Sequence, residues 1–180
     1  MIRCLSFDIA STTGVCFGIS GDTPKAWAVS LGKASEEERF SKALRMTAAY
    51  IDRFKPDLVA VEAPVGGRDA NALLIGLAAC VKGEAARHGC RVVEYFPATV
   101  RKHFLGKALT SRDFPALSKA AAKKAIKGAV MDRCRLLGWE VETGDAADAA
   151  ALWDYAMAKE SRAHQLTSLP GLFSDHRRET

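Results

Sequence analysis

Four acidic residues in three distant parts of the chain are placed where they could do chemistry together. Asp8 closes one apolar segment, Glu62 closes another, and Asp145 and Asp148 open an alanine-rich segment. Burying an unpaired carboxylate is costly, so acids at the inner end of a buried strand or on an apolar helix face need a partner. Divalent metal ions would satisfy all four side chains at once. The pattern predicts a metal-dependent nuclease centre.

Taken singly, two of these acids also have structural explanations. Asp8 precedes a Ser/Thr/Gly segment and could act as a turn former. Glu62 follows Leu-Val-Ala-Val, a run typical of a strand buried on both faces, and could belong to a buried ion pair. However, the carboxyl end of such a strand is also where open α/β sheets place their ligands. Both interpretations stay open for these two positions.

The spacing of Asp145 and Asp148 places both side chains near one face of a helix. Acids in a first helical turn also favour the helix dipole, which explains most such pairs. The same face continues through Ala149, Leu152 and Ala156, and the residues around the acids are mostly alanine. We therefore expect the acids to point inward, with small neighbours that let the helix approach a sheet closely.

Clustered carboxylates raise one another's pKa unless cations neutralise them. An all-carboxylate set suits Mg²⁺, with Mn²⁺ as a substitute, whereas zinc favours His or Cys. Such a set can hold two ions about 4 Å apart, one activating water and one stabilising the leaving oxygen of a phosphoryl displacement. The predicted chemistry is hydrolysis of a phosphodiester by a two-metal mechanism.

Positive charge is concentrated in one part of the chain. The net charge is +5, and the segment from Arg101 to Arg135 contains ten Lys and Arg residues against Asp113 and Asp132. This distribution is typical of a surface that binds a polyanion. A solvated helical face is the alternative.

Hydrophobic periodicity predicts the order βββαβαβ followed by two further helices. The predicted strands are residues 2–9, 15–19, 26–31, 58–62 and 91–95, and the predicted helices are residues 35–55, 69–88, a short turn from 97, 119–137 and 146–163. In the first helix, Phe40, Leu44, Ala48 and Ile51 form the apolar stripe. The chain is thus expected to be an α/β protein in which three antiparallel and then two parallel strands form a mixed sheet covered by helices.

Length and composition narrow the class further. At 180 residues and 48% apolar, the chain is long enough for one folded domain. We assign that domain to residues 1–165 and a loosely ordered tail to residues 166–180. The five cysteines have no close pairing, which argues against a disulfide framework or a zinc site. The sequence has neither a membrane-spanning segment nor a signal-peptide layout, so a cytoplasmic protein is expected.

The element order and three motifs resemble the RNase H-like superfamily and, within it, the RuvC family of Holliday-junction resolvases. The motifs are Phe7-Asp8, Val61-Glu62 and Gly144-Asp145-Ala146-Ala147-Asp148-Ala149. The resemblance covers roughly residues 1–160. It implies that the four acids are catalytic metal ligands, that the substrate is branched DNA with four-way junctions foremost, and that the protein is a homodimer. A bacterial or phage-encoded, nucleoid-associated protein would fit.

The segments 93–102 and 123–127 also match this family, and Arg101 and Lys123 fall where family members place basic residues that act on DNA. The predicted DNA-binding residues are Arg101, Lys102, Lys107, Lys119, Lys123, Lys124 and Lys127. Two departures point to a divergent or phage-type member. Ile9-Ala10 replaces the usual Pro-Gly after the first acid, and residues 63–68 lack the aromatic side chain that bacterial resolvases direct at the junction. Selectivity is assigned to loops 66–71 and 106–118.

Two other functions are compatible with parts of the sequence. Residues 8–14 also resemble the first phosphate loop of actin-like and sugar-kinase ATPases, but those enzymes enclose a nucleotide between two lobes and this chain supplies one. A DNA-binding or assembly protein without catalytic turnover is the second alternative. Ser11, Thr12 and His103 could assist a nuclease, although a lone histidine in an apolar turn is more often structural.

Overall fold

A computed structural model describes residues 1–64 and 71–161 of the chain. The strands are β1 (Arg3–Asp8), β2 (Thr12–Ile19), β3 (Lys25–Ser30), β4 (Leu58–Glu62) and β5 (Arg91–Tyr95). The helices are α1 (Glu36–Phe54), α2 (Ala72–Arg87), α3 (Pro97–Leu105), α4 (Lys119–Leu136) and α5 (Gly144–Glu160), with a short 3₁₀ turn at Ser111–Asp113. The predicted tail 166–180 and most of the predicted loop 66–71 lie outside the described residues.

The five strands form one mixed sheet in the order β3-β2-β1-β4-β5. β1, β2 and β3 pair antiparallel, whereas β4 pairs parallel to β1 and to β5. The predicted fold class and element order are therefore confirmed. The change from antiparallel to parallel pairing occurs between β1 and β4, which brings the carboxyl ends of these two strands side by side.

Alternation along the strands divides the core into two layers, because successive side chains point to opposite faces of a sheet. Leu5 and Phe7 of β1 pack with the cluster that includes α1 and α2. Cys4 of β1 and Ala60 of β4 pack instead with the cluster that includes α3, α4 and α5. Helices cover both faces, which explains why β4 is buried along Leu58–Val61.

Helix α5 is the central helix of its layer, and its alanines allow it to lie close to the sheet. Ten of its residues are buried, including the predicted inward positions Ala149, Leu152 and Ala156. The buried hydroxyl of Ser6 on β1 donates a hydrogen bond of 2.8 Å to the carbonyl of Ala149. This contact fixes the helix against the strand that ends in Asp8.

Several element boundaries differ from the sequence prediction. The predicted turn at residues 11–14 is shorter, because Thr12–Gly14 already belong to β2 and the Thr13 hydroxyl donates to the carbonyl of Ala10. Helix α5 begins two residues before the predicted Ala146, since the Thr143 hydroxyl accepts from the amide of Ala146 and caps the helix. Such side-chain caps decide helix ends more sharply than hydrophobic periodicity does.

The predicted apolar stripe of α1 was wrong at Leu44. That side chain is exposed, and the buried residues of the helix are Ala43, Thr47 and Ile51. The buried stripe therefore runs through Ala43 and Thr47 and agrees with the prediction at Ile51. No helix of the described ranges combines the length and the apolar character that crossing a membrane requires.

Candidate active site

Strand alternation places Asp8 and Glu62 on the same side of the sheet. Cys4 and Ser6 of β1 face helix α5, and Asp8 follows them at the next even position. Leu58 and Ala60 of β4 face the same way, so Glu62 continues that row. The parallel register, which ends at the pair Phe7 and Val61, sets the two acids at adjacent strand ends.

The first turn of α5 brings the other two acids to the same place. Gly14 pairs with Asp8 across the β1–β2 ladder, and a Cβ built on Gly14 would lie 1.9 Å from the backbone carbonyl oxygen of Asp145. Only a residue without a side chain permits this approach. All four predicted acids therefore converge on one region, although they are distant in sequence.

That region is an open cleft with a volume of about 650 Å³. All four acids line it, together with four of the predicted DNA-binding residues. The basic lining residues are Arg101, Lys119, Lys123 and Lys127. Acidic side chains at the base of a cleft with basic walls suit a ligand that carries both phosphates and a bound divalent cation.

The acids strongly perturb one another. Burial and then the nearby charge of Asp148 raise the pKa of Asp8 well above its usual range. Burial, followed by the charges of Asp8 and Asp148, raises the pKa of Glu62 even further. Burial also raises the pKa of Asp148, although Lys127 and Arg101 oppose this rise. Mutual repulsion in a desolvated site is the physical cause, and bound cations would relieve it.

The place of Lys127 in the basic helix predicted a side chain that faces DNA. The structure places its ammonium beside two of the acids. Its ammonium donates a short hydrogen bond to a carboxylate oxygen of Asp145 and lies 3.5 Å from an oxygen of Asp148. Burial lowers the pKa of Lys127, but the hydrogen bond that it donates to Asp145 and the charges of Asp148, Asp145 and Asp8 raise it more. Lys127 is thus part of the acidic cluster.

The remaining predicted basic residues divide into two groups. Lys119 and Lys123 lie on the first turns of α4 and project into the cleft, as does Arg101 of α3, whose guanidinium donates to the carbonyl of Leu109 at 3.2 Å. Lys102, Lys107 and Lys124 are exposed and do not line the cleft. Of these residues, the structure brings only Arg101, Lys119 and Lys123 together at the cleft.

Other cleft residues were not among the individually predicted site residues. The lining also includes Ile9, Ala10, Leu74, Pro97, Thr110, Ser111 and Ile126. Thr110 and Ser111 belong to the loop to which selectivity was assigned, and Pro97 begins α3 directly after β5. Nothing in their sequence pattern marks them as site residues, since their position depends on how the helices and loops pack around the carboxyl ends of the strands.

His103 lies outside the cleft lining and takes part in a structural contact. Its Nε2 lies 2.9 Å from a carboxylate oxygen of the buried Asp154, and its ring packs edge-on against Tyr155 at 5.2 Å between centroids. The interpretation of this histidine as structural agrees with that position.

The four carboxylates offer a divalent cation only oxygen ligands. Within residues 1–64 and 71–161, no group of three or more His, Cys, Asp or Glu side chains is arranged to hold a metal ion. The chemistry of the cluster nevertheless suits one, because four carboxylates face one cleft and three of them have raised pKa values through burial and repulsion. Carboxylate oxygens are the ligands that hard divalent cations prefer, so the chemistry of Asp8, Glu62, Asp145 and Asp148 suits such a cation.

The sheet order, the helices on both faces and the acids at the central strand ends define an RNase H-like fold of the RuvC type. Neither family models nor curated proteins match the sequence. Solved structures do match the fold, and they confirm the resemblance predicted from the motifs at that level.

The structure of RuvC from Thermus thermophilus matches with a TM-score of 0.63 and 20% identity, over 88% of this chain and 96% of that chain. RuvC from T. thermophilus in complex with a Holliday junction substrate matches with a TM-score of 0.62 and 18% identity, over 89% and 97% of the two chains. The yeast mitochondrial Holliday junction resolvase Ydc2 matches with a TM-score of 0.52 and 13% identity, over 92% and 84%.

Proposed function

We propose that this protein is a Mg²⁺-dependent endonuclease that hydrolyses phosphodiesters of branched DNA, with four-way junctions as the first substrate. One observation carries the proposal. Four carboxylates from β1, β4 and α5 meet in a single cleft whose walls carry Arg101, Lys119 and Lys123. The fold likeness to junction resolvases supports the substrate class.

In this proposal the chain's own residues have two tasks. Asp8, Glu62, Asp145 and Asp148 hold the cations, because their carboxylate oxygens line one cleft and a divalent charge would offset the burial and repulsion that act on Asp8 and Glu62. Bound Mg²⁺ would supply the Lewis acidity and water activation that phosphodiester hydrolysis requires. Four carboxylates are expected to hold two such ions.

The basic walls position the DNA backbone. Arg101 is held by the Leu109 carbonyl and offers its other guanidinium donors to the cleft. Lys119 and Lys123 stand on consecutive turns of α4, so their ammonium groups can follow successive phosphates. Such contacts position a strand without reading its sequence, and selectivity would therefore come from the shape of the branch.

A homodimer belongs to the same proposal, since two-fold symmetry would place two active sites on paired strands of a junction. A cytoplasmic, nucleoid-associated location would follow from that substrate. T. thermophilus RuvC has been solved with a Holliday junction substrate, which supports DNA of this kind as the partner to test.

The test is cleavage of labelled four-way junction, flap, RNA–DNA hybrid and linear duplex by the full chain, with Mg²⁺, Mn²⁺ or EDTA. We expect symmetric nicking of the junction that EDTA abolishes and that the Asp145→Asn variant loses. Glu142→Asn is the matched control, because Glu142 is exposed and lies outside the cleft lining.

Other outcomes would change the assignment in defined ways. A preference for flap or hybrid would keep the chemistry and replace the substrate. Tight junction binding without cleavage in any metal would favour a DNA-binding protein that lacks turnover. Nucleotide hydrolysis in place of DNA cleavage would favour the ATPase-like alternative.

A further inference from the structure

Lys127 occupies a position that helix electrostatics disfavours. Its ammonium lies at the first turn of α5, where the backbone amides and the helix dipole repel a cation. The side chain is also half-buried, which adds a desolvation cost. The carboxylates of Asp145 and Asp148, which pair directly with the ammonium, offset both penalties, and the charge of Asp8 adds to their effect.

The local sequence makes room for this arrangement. A Cβ built on Gly144 would lie 2.9 Å from Cδ and 3.2 Å from Cβ of Lys127. The absence of a side chain at position 144 therefore lets the aliphatic stem of Lys127 cross the start of α5. Helix α4 packs on α5 through the buried Val130 and Cys134, which holds the backbone of the lysine in place.

We propose that Lys127 is a displaceable internal counter-ion of the Asp145–Asp148 pair, and that its release couples divalent-cation binding to DNA binding. This inference rests on the proposed function. Its ammonium and a divalent cation compete for the same carboxylate oxygens, so one must leave when the other binds. The released ammonium remains in the cleft beside Lys123, where a DNA phosphate is the available anionic partner.

Linkage makes this coupling reciprocal: a cation that frees Lys127 strengthens DNA binding, and DNA that engages Lys127 strengthens cation binding by the same factor. The other basic residues of the cleft act on the acids only through their charge, because none of them forms an ion pair with Asp145 or Asp148 in the described residues. In the described residues, the ion pairs of Asp145 and Asp148 are made by Lys127 alone.

The first test is calorimetric titration of Mn²⁺ and Mg²⁺ into the full chain without DNA. Lys127→Met removes the competing charge and is expected to tighten cation binding by roughly 5- to 100-fold, the usual range for coupled sites. Lys127→Arg keeps the charge and should bind cations within about three-fold of the natural protein. Lys123→Met is the matched control, because Lys123 lines the same cleft one turn earlier, and it should also change affinity by less than about three-fold.

The second test measures junction binding in an Asp8→Asn background, with and without saturating Mg²⁺, so that cleavage does not interfere. Mg²⁺ should strengthen junction binding when Lys127 is present, and this gain should be clearly smaller in the Asp8→Asn, Lys127→Met protein, where only the direct attraction between the cation and the phosphates remains. Persistence of the full gain would overturn the coupling.

The outcomes separate this inference from the proposed function. Cation affinity that is equal in the natural protein and Lys127→Met, or weaker in the variant, would overturn the role of Lys127 and leave the nuclease proposal intact. If Lys127→Met and Lys123→Met increased the cation affinity equally, the increase would come from the loss of any positive charge in the cleft. That result would also overturn the role of Lys127. If neither the natural protein nor Lys127→Met binds a divalent cation, the metal centre itself is wrong and the inference fails with it.

Discussion

Gly14 on β2 lies directly against the backbone of Asp145 on α5: a Cβ at position 14 would be 1.9 Å from the Asp145 carbonyl oxygen and 3.1 Å from the Ala149 Cβ. Gly14 is also the ladder partner of Asp8. Gly14 therefore sets the distance between Asp8 on β1 and Asp145 on α5. The geometry of the acidic cluster depends on this contact as much as on the acids themselves.

Replacing Gly14 with alanine should move the start of α5 away from the sheet. The added methyl group meets backbone, which cannot yield without shifting the helix. We expect a stability loss of about 1–3 kcal/mol, typical of overpacking, and a loss of cleavage larger than the change in DNA affinity. Urea unfolding and single-turnover cleavage would measure the two effects.

Gly83→Ala is the control for this change. Gly83 lies within α2, and a Cβ there would meet nothing within 4 Å. Alanine should stabilise the helix by roughly 0.5–1 kcal/mol and leave cleavage unchanged. If Gly14→Ala retained full stability and activity, the close approach of α5 would not matter for the site.

The metal-free protein should lose stability as the pH rises. The pKa values of Asp8 and Glu62 are higher in the folded protein than in the unfolded chain. Their contribution to the free energy of unfolding is therefore fully present below the unfolded pKa near 4. It is lost as the pH rises towards the folded pKa values. Urea unfolding in EDTA between pH 5 and pH 9 would reveal this fall.

Glu62→Gln should flatten that pH dependence, because an amide does not ionise in the buried site. At pH 8 the metal-free variant should be more stable than the natural protein by roughly 1–3 kcal/mol, while its cleavage is lost. Glu142→Gln, at an exposed position, should change neither property. An unchanged pH profile in Glu62→Gln would mean that Glu62 is not the group responsible.

Divalent cations should stabilise the protein most where the acids are ionised. Mg²⁺ binds the folded protein and shifts unfolding by mass action, with about 2.7 kcal/mol at one hundred times the dissociation constant. Thermal unfolding with Mg²⁺ or EDTA should therefore differ clearly at pH 8 and little at pH 5. Asp145→Asn should reduce the shift at pH 8, and an equal shift in that variant would remove Asp145 from the cation site.

The position of Lys123 and Lys124 on one helix gives a sharp test of the DNA path. Lys123 lines the cleft and its neighbour Lys124 does not. Lys123→Ala should weaken junction binding and lower the slope of log affinity against log salt by about 1. Lys124→Ala should have a smaller effect on both. Equal effects would show that DNA contacts the outer face of α4 as well as the cleft.

His103 should affect stability more than chemistry. Its Nε2 lies 2.9 Å from the carboxylate of the buried Asp154. His103→Ala should lower the free energy of unfolding by about 1–3 kcal/mol, as expected for a lost hydrogen bond to a buried charged group. Its single-turnover cleavage rate at 20 °C should match the natural protein, and a hundred-fold lower rate would give the histidine a catalytic role.

The sequence alone determined the fold class and the element order, and it singled out the four acids that the fold brings into one cleft. Periodicity is local, so alternation in β1 and the buried run of β4 could be read directly, and the spacing of Asp145 and Asp148 placed both on one helix face. The motif resemblance then indicated the RuvC type of fold, which the comparison of structures confirmed.

The tertiary structure decided which side chains meet. The sequence assigned Lys127 to the DNA surface together with Lys124, yet packing of α4 on α5 turns Lys127 towards Asp145 and leaves Lys124 exposed. Similarly, the need for glycine at position 14 depends on a helix that begins 130 residues later. Contacts of this kind join distant segments, and local hydrophobic patterns hold no information about them.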